Sequence, residues 1–211
     1  MSHCCFISFK KEDTYYKDKI LEKLGRERIQ GKSLDKWIDS KDIDYVMQVI
    51  RRDYMNNSTV TLFLIGEHSS ENEGFDERGF NKQNFIIREL QATLYNRKGN
   101  PRDGLLGIVL PSMEQKNFNG KQRCERCGKI IEIMDISDST VIREFHENYW
   151  LSKNGNCDHY DEDGQFAVLC RYSEFMSNPD IFINKAYEKT KHPIARQVHF
   201  SDIKHKYRRY W

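Results

Sequence analysis

The run Thr59-Val60-Thr61-Leu62-Phe63-Leu64-Ile65-Gly66 limits the fold more than any other stretch of the chain. It is nearly continuous in apolar and β-branched side chains, so it reads as a strand buried on both faces. Strands of that kind lie inside parallel sheets whose two faces are covered by helices. A second such run, Leu105-Leu106-Gly107-Ile108-Val109-Leu110, stands between the turn residues Asn100-Pro101-Arg102-Asp103-Gly104 and Pro111. Between the two runs Ile86, Leu90 and Leu94 recur at helical spacing. Alternation of buried strands with helices predicts an α/β class and a doubly wound parallel sheet.

The N-terminal part fits the same scheme. Cys4-Cys5-Phe6-Ile7-Ser8-Phe9 is a short strand ending in Lys10-Lys11-Glu12-Asp13, and a helix follows at Tyr16, Ile20, Leu21 and Leu24. After Gly31, the segment Ser33-Leu34-Asp35-Lys36-Trp37-Ile38 reads as a weak strand. Ser40 or Asp42 then caps a helix bearing Ile43, Val46, Met47 and Ile50. Ligands of such sheets bind beyond the carboxyl ends of the strands, which here means the loops after Phe9, Trp37 and Gly66. The polar, glycine-bearing stretch from Glu67 to Gln83 is a long loop at that rim.

Charge and composition exclude several classes. With 34 Lys plus Arg against 32 Asp plus Glu in 211 residues, the net charge is +2, which gives no general reason to expect nucleic acid or a membrane surface. No apolar run approaches the ~20 residues that span a bilayer, and MSHCCFISFKKED lacks a signal-peptide layout. The expectation is a soluble cytoplasmic protein. In that setting six cysteines are buried thiols or metal ligands rather than a disulfide framework.

Beyond Pro111 the pattern changes. Cys124-Glu125-Arg126-Cys127-Gly128 is a zinc-knuckle type of turn, and Cys157 with His159 supplies the remaining ligands of a structural zinc site, His146 being the other choice for the fourth. The competing reading is a reduced pair of cysteines in a metal-free turn. Lys129–Ile133, Val141–Phe145 and Phe166–Cys170 read as strands, and Asn178-Pro179 starts a helix that runs towards His192-Pro193. The acidic stretch Asp158–Gly164 lacks the spacing of a calcium loop and is an exposed turn. The chain thus divides into an α/β core over 1–112, a β-rich insertion over 113–175, and a returning helix with a basic-aromatic tail over 176–211. That tail, Lys204-His205-Lys206-Tyr207-Arg208-Arg209-Tyr210-Trp211, has the composition of a single-strand nucleic-acid binder, a partner that the near-neutral chain does not favour.

Glu89 is the carboxylate of interest. On the predicted helix it shares a face with Phe85 and Ile86 at the margin of the apolar stripe. Burial there raises its pKa. A boundary glutamate whose stem packs while its head reaches water is the ordinary alternative.

Taken together, Phe6-Ile7-Ser8-Phe9 with Asp13, Thr59–Gly66 with Ser69, Arg88-Glu89-Leu90, Gly107-Ile108-Val109, Asn178-Pro179-Asp180 and Lys185-Ala186-Tyr187 resemble TIR-like domains, more narrowly the ThsB proteins of bacterial Thoeris antiphage systems. The resemblance implies a flavodoxin-like fold that cleaves the nicotinamide–ribose bond of NAD. It further implies a cyclic or otherwise derivatised ADP-ribose product that activates a separate nucleotide-sensing effector, a phage-derived trigger and self-association. Glu89 would be catalytic, and Ser8, Phe9, Trp37, Asp42 and Ser69 would line the NAD pocket. A non-enzymatic sensor or assembly module is the alternative.

Overall fold

The structure is a computed structural model, and it describes residues 3–36, 38, 40, 42–70, 73–74, 82–97, 101–153, 157 and 159–200. In chain order the elements are β1 (Cys5–Ser8), α1 (Thr14–Leu24), α2 (Ile43–Ile50), β2 (Val60–Ile65), α3 (Asn84–Leu94), β3 (Gly104–Val109), α4 (Glu114–Asn117), β4 (Phe118–Arg123), β5 (Ile130–Met134), α5 (Arg143–Tyr149), β6 (Val168–Arg171), α6 (Tyr172–Ser177) and α7 (Pro179–Lys189). A four-stranded parallel sheet runs β1-β2-β3-β6, and β4 and β5 form a separate antiparallel pair. The register aligns Ile7, Leu62, Leu106 and Val168 in one row across the main sheet.

Strand alternation sends side chains to two cores. Val60, Leu62 and Leu64 meet Ile20, Leu24, Phe175 and Ile183 on the face covered by α1, α6 and α7. Phe63 and Ile65 meet Ile86, Leu90 and Phe145 on the opposite face. A third cluster, Phe6, Leu34, Met47, Ile50 and Ala92, fills the space beneath α2. Gly107 lets α5 approach, since a Cβ there would lie 2.5 Å from Cζ of Phe145. Helices on both faces of a parallel sheet give the expected doubly wound α/β, flavodoxin-like fold.

Three sequence expectations are corrected. Residues 33–38 form no strand among the described residues, and the edge beside β1 carries only a single parallel bridge between Cys5 and Ile29. A flavodoxin-like order of 2-1-3-4-5 is thereby reduced, its second strand surviving as that bridge. The cause lies in the backbone donors: Lys32 N donates to Tyr54 O at 2.8 Å and Leu34 N donates to Glu89, so neither serves a ladder. Val141–Phe145 is likewise no strand. Ile142, Phe145 and Tyr149 recur at helical spacing and form the buried stripe of α5. Third, the last strand of the supposed β-rich insertion, β6, pairs with β3 in the main sheet, because Val168 and Cys170 join the apolar core of that sheet. No helix among the described residues is long and apolar enough to cross a membrane.

Candidate functional site

Ser8 is the last residue of β1, and its hydroxyl faces the same side of the sheet as Phe6. Helix α3 crosses that side and is buried along nearly its whole length. Its polar residues anchor it, as Thr93 Oγ1 donates to Glu89 O at 2.9 Å and meets Thr61 Oγ1 of β2 at 2.8 Å. This fixes the Glu89 side chain against the end of β1. Ser8 Oγ donates to Glu89 Oε2 at 2.6 Å, and Leu34 N donates to Oε1 at 2.8 Å. The carboxyl group is therefore not a boundary residue with its head in water; it is 2% exposed, with both oxygens held. Phe85, expected on the same face, points outward instead and is 39% exposed.

Burial pushes the Glu89 carboxyl up to about 7, against the Leu34 amide and the Ser8 hydroxyl, which favour the charged form. A second buried carboxylate stands at the same rim. Asp13 follows β1 and lies against Gly66 at the end of β2, where an added Cβ would be 2.4 Å from its oxygens. Burial, with the Glu12 charge in second place, raises Asp13 to about 6. Groups so perturbed beyond the carboxyl ends of parallel strands are where acid–base or electrostatic chemistry is expected.

The other expected pocket residues are spread around this pair. Phe9 turns to the opposite face from Ser8, packing near Ile7 and Tyr16 with Lys17 Nζ 5.7 Å above its ring. Asp42 caps α2, its Oδ1 accepting from Asp44 N at 3.0 Å and Tyr45 N at 3.2 Å. Ser69 is occupied by backbone: its Oγ accepts from Gly66 N at 2.8 Å and donates to Leu64 O at 3.2 Å, closing the turn after β2. Trp37 lies outside the described residues. What sequence reading missed is Leu34, because a backbone amide carries no side-chain signal.

Glu89 lines neither of two clefts formed by the described residues. One, of about 380 Å³, is bounded by Phe9, Lys17, Ile29, Gly31 and Ser33, so its wall runs directly into the segment whose Leu34 amide covers Glu89. The other, of about 470 Å³, lies between β5 and β6 and includes Tyr149, Tyr160, Arg171 and Lys189. Next to this second cleft the structure gathers the expected metal ligands Cys124, Cys127, Cys157 and His159, whose ligating atoms all lie within 4.8 Å of one another. His146 faces Asp138 at 3.3 Å instead.

Residues 6–77 match the family model described as the Thoeris protein ThsB, TIR-like domain. No curated protein matches the chain. Over that stretch, which runs from β1 through β2, the chain is similar to the TIR-like domain of ThsB. Glu89, on the helix that follows, falls outside the matched residues.

Proposed function

We propose that this TIR-like chain cleaves NAD in a Thoeris-type antiphage pathway, with Glu89 as the catalytic carboxylate. The observation that supports the reading is the buried Glu89 carboxyl held by Ser8 and Leu34 at the end of β1. As the C–N bond between nicotinamide and ribose breaks, its electron pair leaves with nicotinamide and positive charge develops on the ribose. A preorganised carboxylate in a water-poor site stabilises that charge. Nicotinamide leaves as a neutral molecule, so no second base is required. The ribose carbon is then captured by a nucleophile of the ADP-ribose itself or by water, the proton released passing to the Glu89 carboxylate or to solvent, and a cyclised or otherwise derivatised product activates a separate effector. Substrate reaches Glu89 when the segment around Leu34 withdraws from it, in response to a phage-derived trigger. The reading places the chain in the cytoplasm, where NAD is available.

A second reading draws on the same geometry. With both Glu89 oxygens hydrogen-bonded inside the chain, the carboxyl serves as a structural lock and the fold works as a self-associating module without chemistry. Cellular NAD after phage challenge separates the two. Cells carrying the parent chain should lose NAD and accumulate nicotinamide, and cells carrying Glu89→Gln should do neither. Protection from phage at constant NAD would overturn the enzymatic reading in favour of the module.

A further inference from the structure

The turn joining β4 and β5 is shaped before any ligand is considered. Cys124 N donates to Lys129 O at 2.8 Å and Gly128 N to Cys124 O at 2.9 Å. Gly128 has φ +74°, a left-handed conformation that glycine adopts freely. These bonds put the thiols of Cys124 and Cys127 on one side of the turn. Cys157 and His159 arrive from the segment after α5, and Cys127 Sγ comes within 3.3 Å of His159 Nε2. A zinc ion with Zn–S near 2.3 Å and Zn–N near 2.0–2.1 Å spaces tetrahedral ligands about 3.5–3.8 Å apart. All four ligating atoms lie within 4.8 Å of one another, so the cluster is close to that figure. All six cysteines are free thiols.

Two further observations point the same way. His159 is 8% exposed, and its other ring nitrogen, Nδ1, lies 3.5 Å from Asp161 Oδ1. A carboxylate behind a ligating histidine is the usual arrangement at metal centres, where it fixes the ring and raises its basicity. The β4–β5 unit also has little to hold it by burial alone: β4 is exposed along most of its length, and Ile130 is 73% exposed. A unit with so small a core needs a staple.

We infer that Cys124, Cys127, Cys157 and His159 bind one zinc ion in a closed structural site that clamps the β4–β5 hairpin to Cys157 and His159. Three thiolates and an imidazole are soft and borderline donors, which select zinc over magnesium or calcium. Four protein ligands leave no open position, so the ion does no chemistry of its own. Its work is to hold one wall of the 470 Å³ cleft, to which Ile130, His159 and Tyr160 all contribute. From the sheet side Arg171 completes the docking, stacking 3.8 Å over the Phe118 ring and hydrogen-bonding Glu132. The hairpin docks at the β6 edge, whereas Ser8 lies on β1 at the other edge, three strand spacings or about 14 Å away. The inference is thus independent of the role assigned to Glu89.

The test uses the full chain produced in zinc-supplemented medium and purified without chelator. Elemental analysis should find about one equivalent of zinc. Cobalt(II) exchanged into the protein should show the thiolate charge-transfer absorption of a tetrahedral sulfur site. Cys124→Ser should lose both signals, and Cys4→Ser should keep both. Asp161→Asn should remain folded and hold zinc about 10–100-fold less tightly in chelator competition. Should Cys124→Ser fail to fold, the parent's metal content and cobalt spectrum still decide the matter. Folded parent protein with no metal and with the thiols of Cys124, Cys127 and Cys157 all freely reactive would overturn the inference, as would zinc that Cys124→Ser binds as tightly as the parent does.

Discussion

Glu89 couples the site to pH. Its carboxyl titrates near 7 in the folded chain against an ordinary 4.5. Between those values the folded state binds more protons than the unfolded state, so this group's contribution to stability falls as pH rises and levels off above about 7. At about 1.4 kcal/mol per pH unit, Glu89→Gln should gain roughly 2–3 kcal/mol relative to the parent between pH 5 and pH 8. Asp13, raised to about 6, adds a slope of the same sign but is present in both proteins and cancels in the comparison. Urea denaturation of the two proteins at the two pH values measures this, and parallel curves would show that Glu89 is ionised throughout. Sequence reading placed a partly desolvated carboxylate at position 89. It could not see how complete the burial is, because Ser8 lies 81 positions away along the chain and Leu34 acts through its backbone.

At the scale of elements, the segment covering Glu89 is fixed from below by Gly31. Its φ is +79°, and a Cβ there would lie 1.9 Å from Tyr54 O. Gly31→Ala should therefore push residues 31–34 off the end of the α2 region, at a cost of about 1–3 kcal/mol. Hydrogen exchange should show the Leu34 amide losing protection before the amides of β2; unchanged protection at Leu34 would mean that the segment does not depend on this anchor. Helix α5 makes a second test. Phe145 is fully buried against Gly107 and Phe63, whose ring lies 5.8 Å from its own, and Phe145→Ala should cost about 3–5 kcal/mol in thermal or chemical denaturation. A loss under ~1 kcal/mol would mean that the site collapses readily around the smaller side chain. Val141-Ile142 reads as the start of a strand because two β-branched residues stand together. The stripe Ile142, Phe145, Tyr149 becomes decisive only once the core shows which period wins.

For the molecule as a whole, what was legible is what hydrophobicity writes directly. The central strands β2 and β3, the helices α1, α2 and α3 and the α/β class follow from runs and periods of apolar residues, and the start of α7 follows from the Asn178-Pro179 pair. The missing second strand does not, since Leu34 is the lone buried apolar residue among the described residues of a polar stretch and its placement depends on α2 and α3 together. Nor could spacing alone choose between His159 and His146 as a partner for the cysteines, a choice made by the path of the chain after α5. Under the proposed function, this fold brings an ionisable, buried Glu89 to bear on NAD. The most direct test is nicotinamide release from NAD by the purified full chain, with and without extract of phage-infected cells, from pH 5.5 to 8.5. Release should rise through pH about 7 as Glu89 gives up its proton and fall about a hundredfold or more in folded Glu89→Gln. Release by Glu89→Gln at the parental rate, with the same pH profile, would contradict the proposed function.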